Sequence, residues 1–248
     1  MDALATTAAS GMRARMESLD ILANNLANAS AAGFKADREF YSTYVSARTL
    51  DANETAGDLS AQSPVTEQRW IDFSQGALTP TGNGLDLALE GEGFFVAQSP
   101  LGPLYTRSGD FHIDTRGVLV TRNGEAVEDG EGNPIHLDAS QPIEVSPSGQ
   151  ILQNQVPAAQ LKLVRFTSPQ ALSKQGNNAF QLSASALVPI PSSATVHQGS
   201  VESGNVQPAE TAVRLVSVMR QFEMLQKAMS LGNQMNEQAI QNVAKAAA

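Results

Sequence analysis

The chain has 248 residues, 42% of them apolar, a net charge of −9 and no cysteine. That length holds one large or two modest domains, and the acidic balance argues against nucleic acid as a partner, because phosphate binding needs a basic face. The lack of cysteine excludes disulfides, thiol catalysis and thiolate metal sites. No apolar run approaches the ~20 residues of a membrane helix. The N-terminus, with Asp2 in place of a basic segment and no uninterrupted apolar stretch behind it, does not read as a cleaved secretory signal.

Residues 3 to about 30 read as one amphipathic helix. Ala5, Ala9, Met12, Met16, Leu19, Ala23 and Leu26 recur in steps of three and four, a heptad seam of small or flexible knobs that a partner helix can approach closely. Leu19, Leu22 and Leu26 keep one face apolar, while Asn24, Asn25 and Asn28 crowd the same turns. Asparagine amides compete for backbone hydrogen bonds and weaken a helix unless a partner uses them. Gly33 then stands where a helix-ending glycine is expected. The expectation is a helix completed only when a second helix docks on it; the blander reading is a helix that covers its own domain's core.

Residues 36–75 read as a transitional extended or loop segment. Phe40, Tyr41, Tyr44 and Val45 either extend a helix or dock on one, and Asp51–Asp58 and Ser60–Pro64 are polar loop. Trp70, Ile71 and Phe73 close the segment with an apolar anchor. From 76 to about 200 the pattern is all-β, with short apolar runs between Gly, Pro, Asn and Asp: Leu85–Leu89, Phe94–Gln98, Leu104–Arg107, Phe111–Ile113, Val118–Thr121, Ile135–Leu137, Ile143–Val145, Leu161–Phe166 and Phe180–Leu182. Asn123–Gly124 and Asp129–Gly130 are turn signals. No long helical pattern separates the runs, so an antiparallel barrel or sandwich is expected over βαβ units. Residues 209 to about 245 return to helix, with Pro208 and Glu210 suiting its start. Leu215, Val218, Phe222, Leu225 and Met229 form a second heptad seam, which weakens past Gly232 with Asn236, Ala239 and Val243 in register. The fold class is thus α+β: paired terminal helices as a coiled-coil-like stalk, carrying a mainly antiparallel β domain at its tip.

Charge follows the same division. Residues 1–35 hold three basic and three acidic residues, residues 201–248 four and four, and residues 36–200 nine and eighteen. Neutral ends can pack against copies of themselves, while a charged middle keeps a free subunit soluble.

Leu22-Ala-Asn-Asn-Leu-Ala-Asn-Ala-Ser-Ala-Ala-Gly-Phe-Lys35 resembles the N-terminal signature of the flagellar axial proteins, the rod and hook subunits of bacteria. Phe73–Gly82 running into Leu85–Val96 resembles the entry to that family's middle domain. Tyr105–Phe111 and Asp114–Thr121 resemble its next strands, and Gly199–Pro208 its return to the C-terminal helix. Residues 140–195 carry little that is specific. The resemblance implies four segments: an N-terminal axial helix (1–35), a transition (36–75), a β domain (76–205) and a C-terminal axial helix (206–248). It implies a non-enzymatic subunit of the basal-body rod, spanning the periplasm and carrying torque from motor to hook, exported by the flagellar type III route. Its partners would be itself, other axial proteins and the export apparatus, with no nucleic acid, membrane insertion or cofactor. Length and the Phe73-to-Phe95 block look most like the proximal-rod members, with the distal-rod members next. The assembly contacts would come from Met12, Met16, Leu19, Leu22, Asn24, Asn25, Leu26, Asn28, Gly33 and Phe34 in front, and from Leu215, Val218, Phe222, Leu225 and Met229 behind.

Candidate chemistry is sparse. Gly91-Glu-Gly93 lacks the third glycine of a phosphate loop, since Val96 stands there. Asp129-Gly-Glu-Gly-Asn133 lacks EF-hand spacing and reads as a turn. His112, His136 and His197 are too scattered to propose a metal set, and no GxSxG elbow occurs. The competing reading is a secreted β domain that binds glycans or acts as an enzyme on a helical oligomerisation stalk. It needs exposed aromatic residues in a cleft, and residues 140–200 offer only Phe166 and Phe180.

Overall fold

A computed structural model describes residues 3–45, 62–182 and 188–246, and within these the side chains of residues 3–8, 40–68 and several near the C-terminus are left undescribed. The chain forms two compact units. The first contains helix α1 (Ala3–Ala27), a two-stranded sheet of β1 (Asp37–Val45) and β2 (Gln62–Ile71), and helix α2 (Pro208–Ala246). The second holds residues 28–36 and 71–206.

In the first unit, α1 and α2 pack on each other. A methyl group added at Gly11 would lie 3.7 Å from Leu225 Cδ1, an ordinary van der Waals contact between the two helices. α2 opens with Pro208, whose missing N–H costs nothing in a first turn, and carries Glu210 at the positive end of its dipole. Residues 37–45 correct one expectation: Phe40, Tyr41, Tyr44 and Val45 belong to strand β1 and do not extend a helix. The run is aromatic and β-branched, which suits a pleated surface. Residues Asp51–Asp58 lie outside the described residues, as do 60 and 61, whereas the expected loop at Gln62–Pro64 is part of β2.

The second unit is built from β3 (Leu78–Pro80), β4 (Leu87–Glu90), β5 (Phe94–Ser99), β6 (Gly102–Thr106), β7 (His112–Ile113), β8 (Leu119–Val120), β9 (Ala126–Val127) and β10 (Ile143–Val145). It continues with β11 (Gln150–Gln153), β12 (Val156–Gln160), β13 (Leu163–Arg165), β14 (Leu172–Lys174), β15 (Ala179–Leu182), β16 (Ile190–Pro191), β17 (Thr195–Gln198) and β18 (Ser200–Glu202). β5 is its organising strand and pairs antiparallel with β6, β9 and β13. Phe94, Phe95, Val96 and Ala97 are all buried, and strand alternation sends them to opposite faces. Phe95 joins Leu87, Leu89, Phe111, Leu119 and Ile135 in one core, while Phe94 and Val96 join Tyr105, Phe166, Leu172 and Phe180 in another.

The second core is an aromatic cluster. Phe180 is fully buried, with Phe73 at 5.2 Å and Phe94 at 6.0 Å between ring centroids, both edge-to-face. Phe180→Ala should lower the unit's unfolding free energy by about 3–5 kcal/mol, with Phe180→Leu costing clearly less. Denaturant unfolding of the purified chain checks this, and equal loss in both variants would contradict it.

Asn123–Gly124 turns the chain between β8 and β9, with Thr121 N donating to Glu125 O at 2.8 Å and Gly124 at φ 92°. Asp129–Asn133 is likewise a turn: Asp129 N donates to Asn133 O, and the Asp129 carboxylate accepts from Glu131 N and Asn133 N at 2.9 and 2.8 Å. These bonds, that from Asn133 first, hold its carboxyl below the usual aspartate range. Ile135–Leu137 corrects a second expectation. Ile135 and Leu137 are core residues, but the segment makes only an isolated bridge, Val118 with His136. Its backbone is shared out: Ile135 N donates to Val127 O, Leu119 N donates to Ile135 O, and Leu137 N donates to Gly117 O.

Candidate functional site

Residues 28–36 enter the second unit and residues 200–206 leave it, and the two segments lie against each other. After α1 the chain turns through Ala31 N to Asn28 O (2.9 Å) and Phe34 N to Ala31 O (3.3 Å). Gly33, at φ 66°, donates to Glu202 O at 2.7 Å. Asn205 then laces three strands of chain together. Its Oδ1 accepts from Ala36 N at 2.8 Å, and its Nδ2 donates to Asp72 O at 2.7 Å and Ser74 O at 3.1 Å. Lys174 donates to Lys35 O at 2.7 Å, and its ammonium lies 4.6 Å from the Phe34 ring centroid. Asn178 Nδ2 donates to Ala32 O at 2.8 Å.

Beneath this junction sits a buried charge cluster. Lys35 Nζ donates to Glu202 Oε1 at 2.5 Å and to Ser74 O at 2.7 Å. Arg107 Nη1 donates to Glu202 Oε2 at 3.1 Å, and Nη2 to Gly91 O at 2.6 Å. Gly76 N donates to Glu202 Oε1 at 2.8 Å. The Lys35 and Glu202 side chains are fully buried and that of Arg107 is nearly so. Burial pushes the Lys35 ammonium below its ordinary range, opposed by the Glu202 carboxylate, and Arg107 is pushed down by the same cause against the same opposition.

Gly33 and Phe34, expected among the assembly contacts, are both buried in this chain's own second unit. A methyl group on Gly33 would overlap the backbone of Arg107 and Ser108. Gly33 does not cap α1, which ends earlier, at Ala27.

In the first unit, the covered face of α1 is Ala14, Ser18, Ile21, Leu22 and Asn25. Asn25 finds its partner within the chain: its Nδ2 donates to Asp37 O at 2.8 Å, and its Oδ1 accepts from Asp37 N at 3.0 Å. Ser18 Oγ donates to Glu39 Oε1 at 2.7 Å. The expected seam is not this face. Ala9, Met16 and Ala23 are exposed and lie on the other side of the helix, since 100° per residue separates them from Ala14, Ser18 and Ile21 by roughly half a turn. Met12, Leu19, Leu26 and Asn28 are half-buried, and Asn24 is exposed. The side chain of Ala5 lies outside the described residues, as do those of Asn236, Ala239 and Val243.

On α2, Leu215, Val218, Phe222, Leu225 and Met229 are all half-buried. Val213, Met224, Leu231 and Met235 fall on the opposite side and are exposed, Met224 at 61% and Leu231 at 58%. α2 therefore carries two apolar stripes, where a helix covering one core needs one.

Among the described residues no set of His, Asp or Glu side chains is placed to hold a metal, and no helix is long and apolar enough to cross a membrane. Lys35, Arg107, Glu202, Asn205 and Lys174 were not singled out by sequence reasoning.

A chain that returns to its start after a β excursion, joined at a buried ionic junction and flanked by helices with uncovered apolar stripes, is a subunit built for assembly. Three family models match it in order: the flagella basal body rod protein model over residues 6–35, the flagellar hook protein FlgE/F/G D1 domain over 88–153, and the flagellar basal body rod FlgEFG protein C-terminal model over 197–242. Flagellar basal-body rod protein FlgF of Caulobacter vibrioides is 32% identical over 230 residues, covering 92% of both chains. Flagellar basal-body rod protein FlgG of Buchnera aphidicola subsp. Schizaphis graminum is 30% identical over 245 residues, 91% of this chain and 94% of that one. FlgG of Borreliella burgdorferi is 33% identical over 252 residues, 92% and 94%. The chain belongs to the family of flagellar basal-body rod proteins. That family is structural, so the alternative of a glycan-binding domain or enzyme on a stalk is not supported.

Proposed function

We propose that this chain, a structural subunit of the flagellar basal-body rod, is built into the rod through the outward faces of its two terminal helices. The observation that carries the reading is the second apolar stripe of α2, Val213, Met224, Leu231 and Met235, whose side chains are exposed among the described residues. The exposed Ala9, Met16 and Ala23 of α1 offer small and pliable partners for such side chains. Contacts of this kind between unlike faces, where the rotation does not close into a ring, generate an open helical filament. The assembly role expected for Met12, Met16, Leu19, Leu26, Leu215, Val218, Phe222, Leu225 and Met229 then divides. The half-buried members hold the helix pair together, and the exposed Met16 meets a neighbour.

The subunit is of the FlgF type in this reading. The FlgF relative covers its share of the chain in 230 aligned positions, whereas the FlgG relative needs 245 for a slightly smaller share, so the FlgG alignment carries more inserted positions. The subunit reaches the rod through the flagellar export apparatus, packs beside other axial proteins and passes torque toward the hook. A strain deleted for this chain should be non-motile, with basal bodies that stop short of the distal rod, and the intact gene should restore both. Electron microscopy of purified basal bodies reads the result, and complete rods in the deletion strain would overturn the assignment.

A further inference from the structure

Lys35, Arg107 and Glu202 bring two positive charges and one negative into a site closed to water. The carboxylate is the shared partner. Oε1 takes Lys35 and the Gly76 amide, and Oε2 takes Arg107. The other groups bonded to the two cations are carbonyls, those of Ser74, Leu89 and Gly91. Arg107 Nε is buried without a hydrogen-bond partner. Asp72 acts on Lys35 and Glu92 on Arg107 as further negative charges, and the ammonium of Lys174 reaches the Lys35 carbonyl. The pairing spans 167 residues from Lys35 to Glu202 and 95 from Arg107 to Glu202.

We propose that Glu202 is a late-arriving latch: the second unit closes only when this carboxylate is inserted between Lys35 and Arg107, and without it the two cations hold the unit open. A chain made from its N-terminus contains both cations long before it contains Glu202. Two buried cations without a carboxylate are strongly unfavourable, so the open form prevails until β18 adds to β3 and delivers it. Lys35 follows α1 and Glu202 precedes α2, so the same step joins the roots of the two helices. The latch rests on the geometry of the second unit and does not depend on where in the rod the subunit sits.

The charge count gives the latch a sign that packing alone lacks. Removing the anion is severe, whereas removing one cation leaves a balanced pair. In the full-length chain, Glu202→Gln should raise the protease-susceptible population of the second unit by on the order of a hundredfold. Lys35→Met should raise it far less, and adding Lys35→Met to Glu202→Gln should recover most of the resistance. Raising the pH from about 7 toward the ordinary lysine value of 10.5 should also partly rescue Glu202→Gln. Lys35 is depressed in the folded state, so that state sheds its proton first and gains stability as pH rises through the window below 10.5. The Lys35→Met/Glu202→Gln chain should show no such rescue. Proteolysis followed by mass spectrometry reads all arms. Glu202→Gln as resistant as the parent, or Lys35→Met as damaging as Glu202→Gln, would overturn the latch. If Glu202→Gln cannot be recovered folded, folded Lys35→Met/Glu202→Gln supports the latch, and failure of both overturns it.

Discussion

Replacing Met224 and Leu231 together with aspartate should abolish motility and rod incorporation while leaving both units of the free subunit folded. Both side chains are largely exposed, so a carboxylate there stays in water until a neighbour arrives. In the assembled rod each carboxylate would enter an apolar contact, at a cost of several kcal/mol by order of magnitude, and the cost recurs at every subunit along the shaft. Phe222→Asp is the control, because Phe222 is half-buried on the stripe that faces α1. It should weaken the helix pair itself and lower its helical content and thermal stability. Motility assays, basal-body microscopy and circular dichroism of the purified chains separate the outcomes. Normal motility in Met224→Asp/Leu231→Asp would show that the outer stripe faces solvent in the rod.

The α2 contrast shows what periodicity conveys. Leu215, Val218, Phe222, Leu225 and Met229 recur at helical spacing, and their half-buried stripe follows that spacing. The same rule applied to α1 selected Ala9, Met16 and Ala23, because methionine and alanine score as apolar while Ser18 and Asn25 do not. Ser18 and Asn25 are nevertheless buried, since their polar groups are satisfied by Glu39 and by the backbone of Asp37. Burial of a polar side chain depends on a partner elsewhere in the chain, and no window of one helix contains that partner.

The β unit was legible where short apolar runs stand between turn residues, as in β5 and β10, and illegible where they do not. β11 and β17 are half Gln or Thr, β18 is only three residues long, and β12 is mostly exposed with Pro157 inside it. The turn between β11 and β12 uses Asn154 and Gln155 at φ 50° and 64°, and glutamine is not a residue that announces positive φ. The junction had a quieter signal. Lys35, Arg107 and Glu202 each lie inside a block that carries the resemblance to axial proteins, beside Gly33, Tyr105 and Val201. A charged residue embedded in an apolar or glycine-containing motif asks for a buried partner, but three such residues across 167 positions of chain do not reveal which carboxylate answers which cation.

Gly33→Ala should loosen residues 28–36 from the rest of the second unit while leaving its two cores intact. Gly33 sits at φ 66°, where a Cβ clashes with the following carbonyl at about 1–2 kcal/mol. The added methyl would also overlap the backbone of Arg107 and Ser108, and backbone in a sheet-bound turn cannot swing aside as a flexible side chain does. Overpacking of this kind costs about 1–3 kcal/mol more. The strain falls on the segment that places Lys35, so Gly33 N to Glu202 O, Asn205 Oδ1 to Ala36 N and the Lys35–Glu202 pair should weaken together. Hydrogen exchange should rise at Gly33, Ala36 and Gly76 and stay slow at Phe95, Val96 and Phe180. Parent-like exchange at all six amides, with unchanged unfolding free energy, would mean that the backbone at 107–108 yields freely and that Gly33 is not the residue fixing the junction.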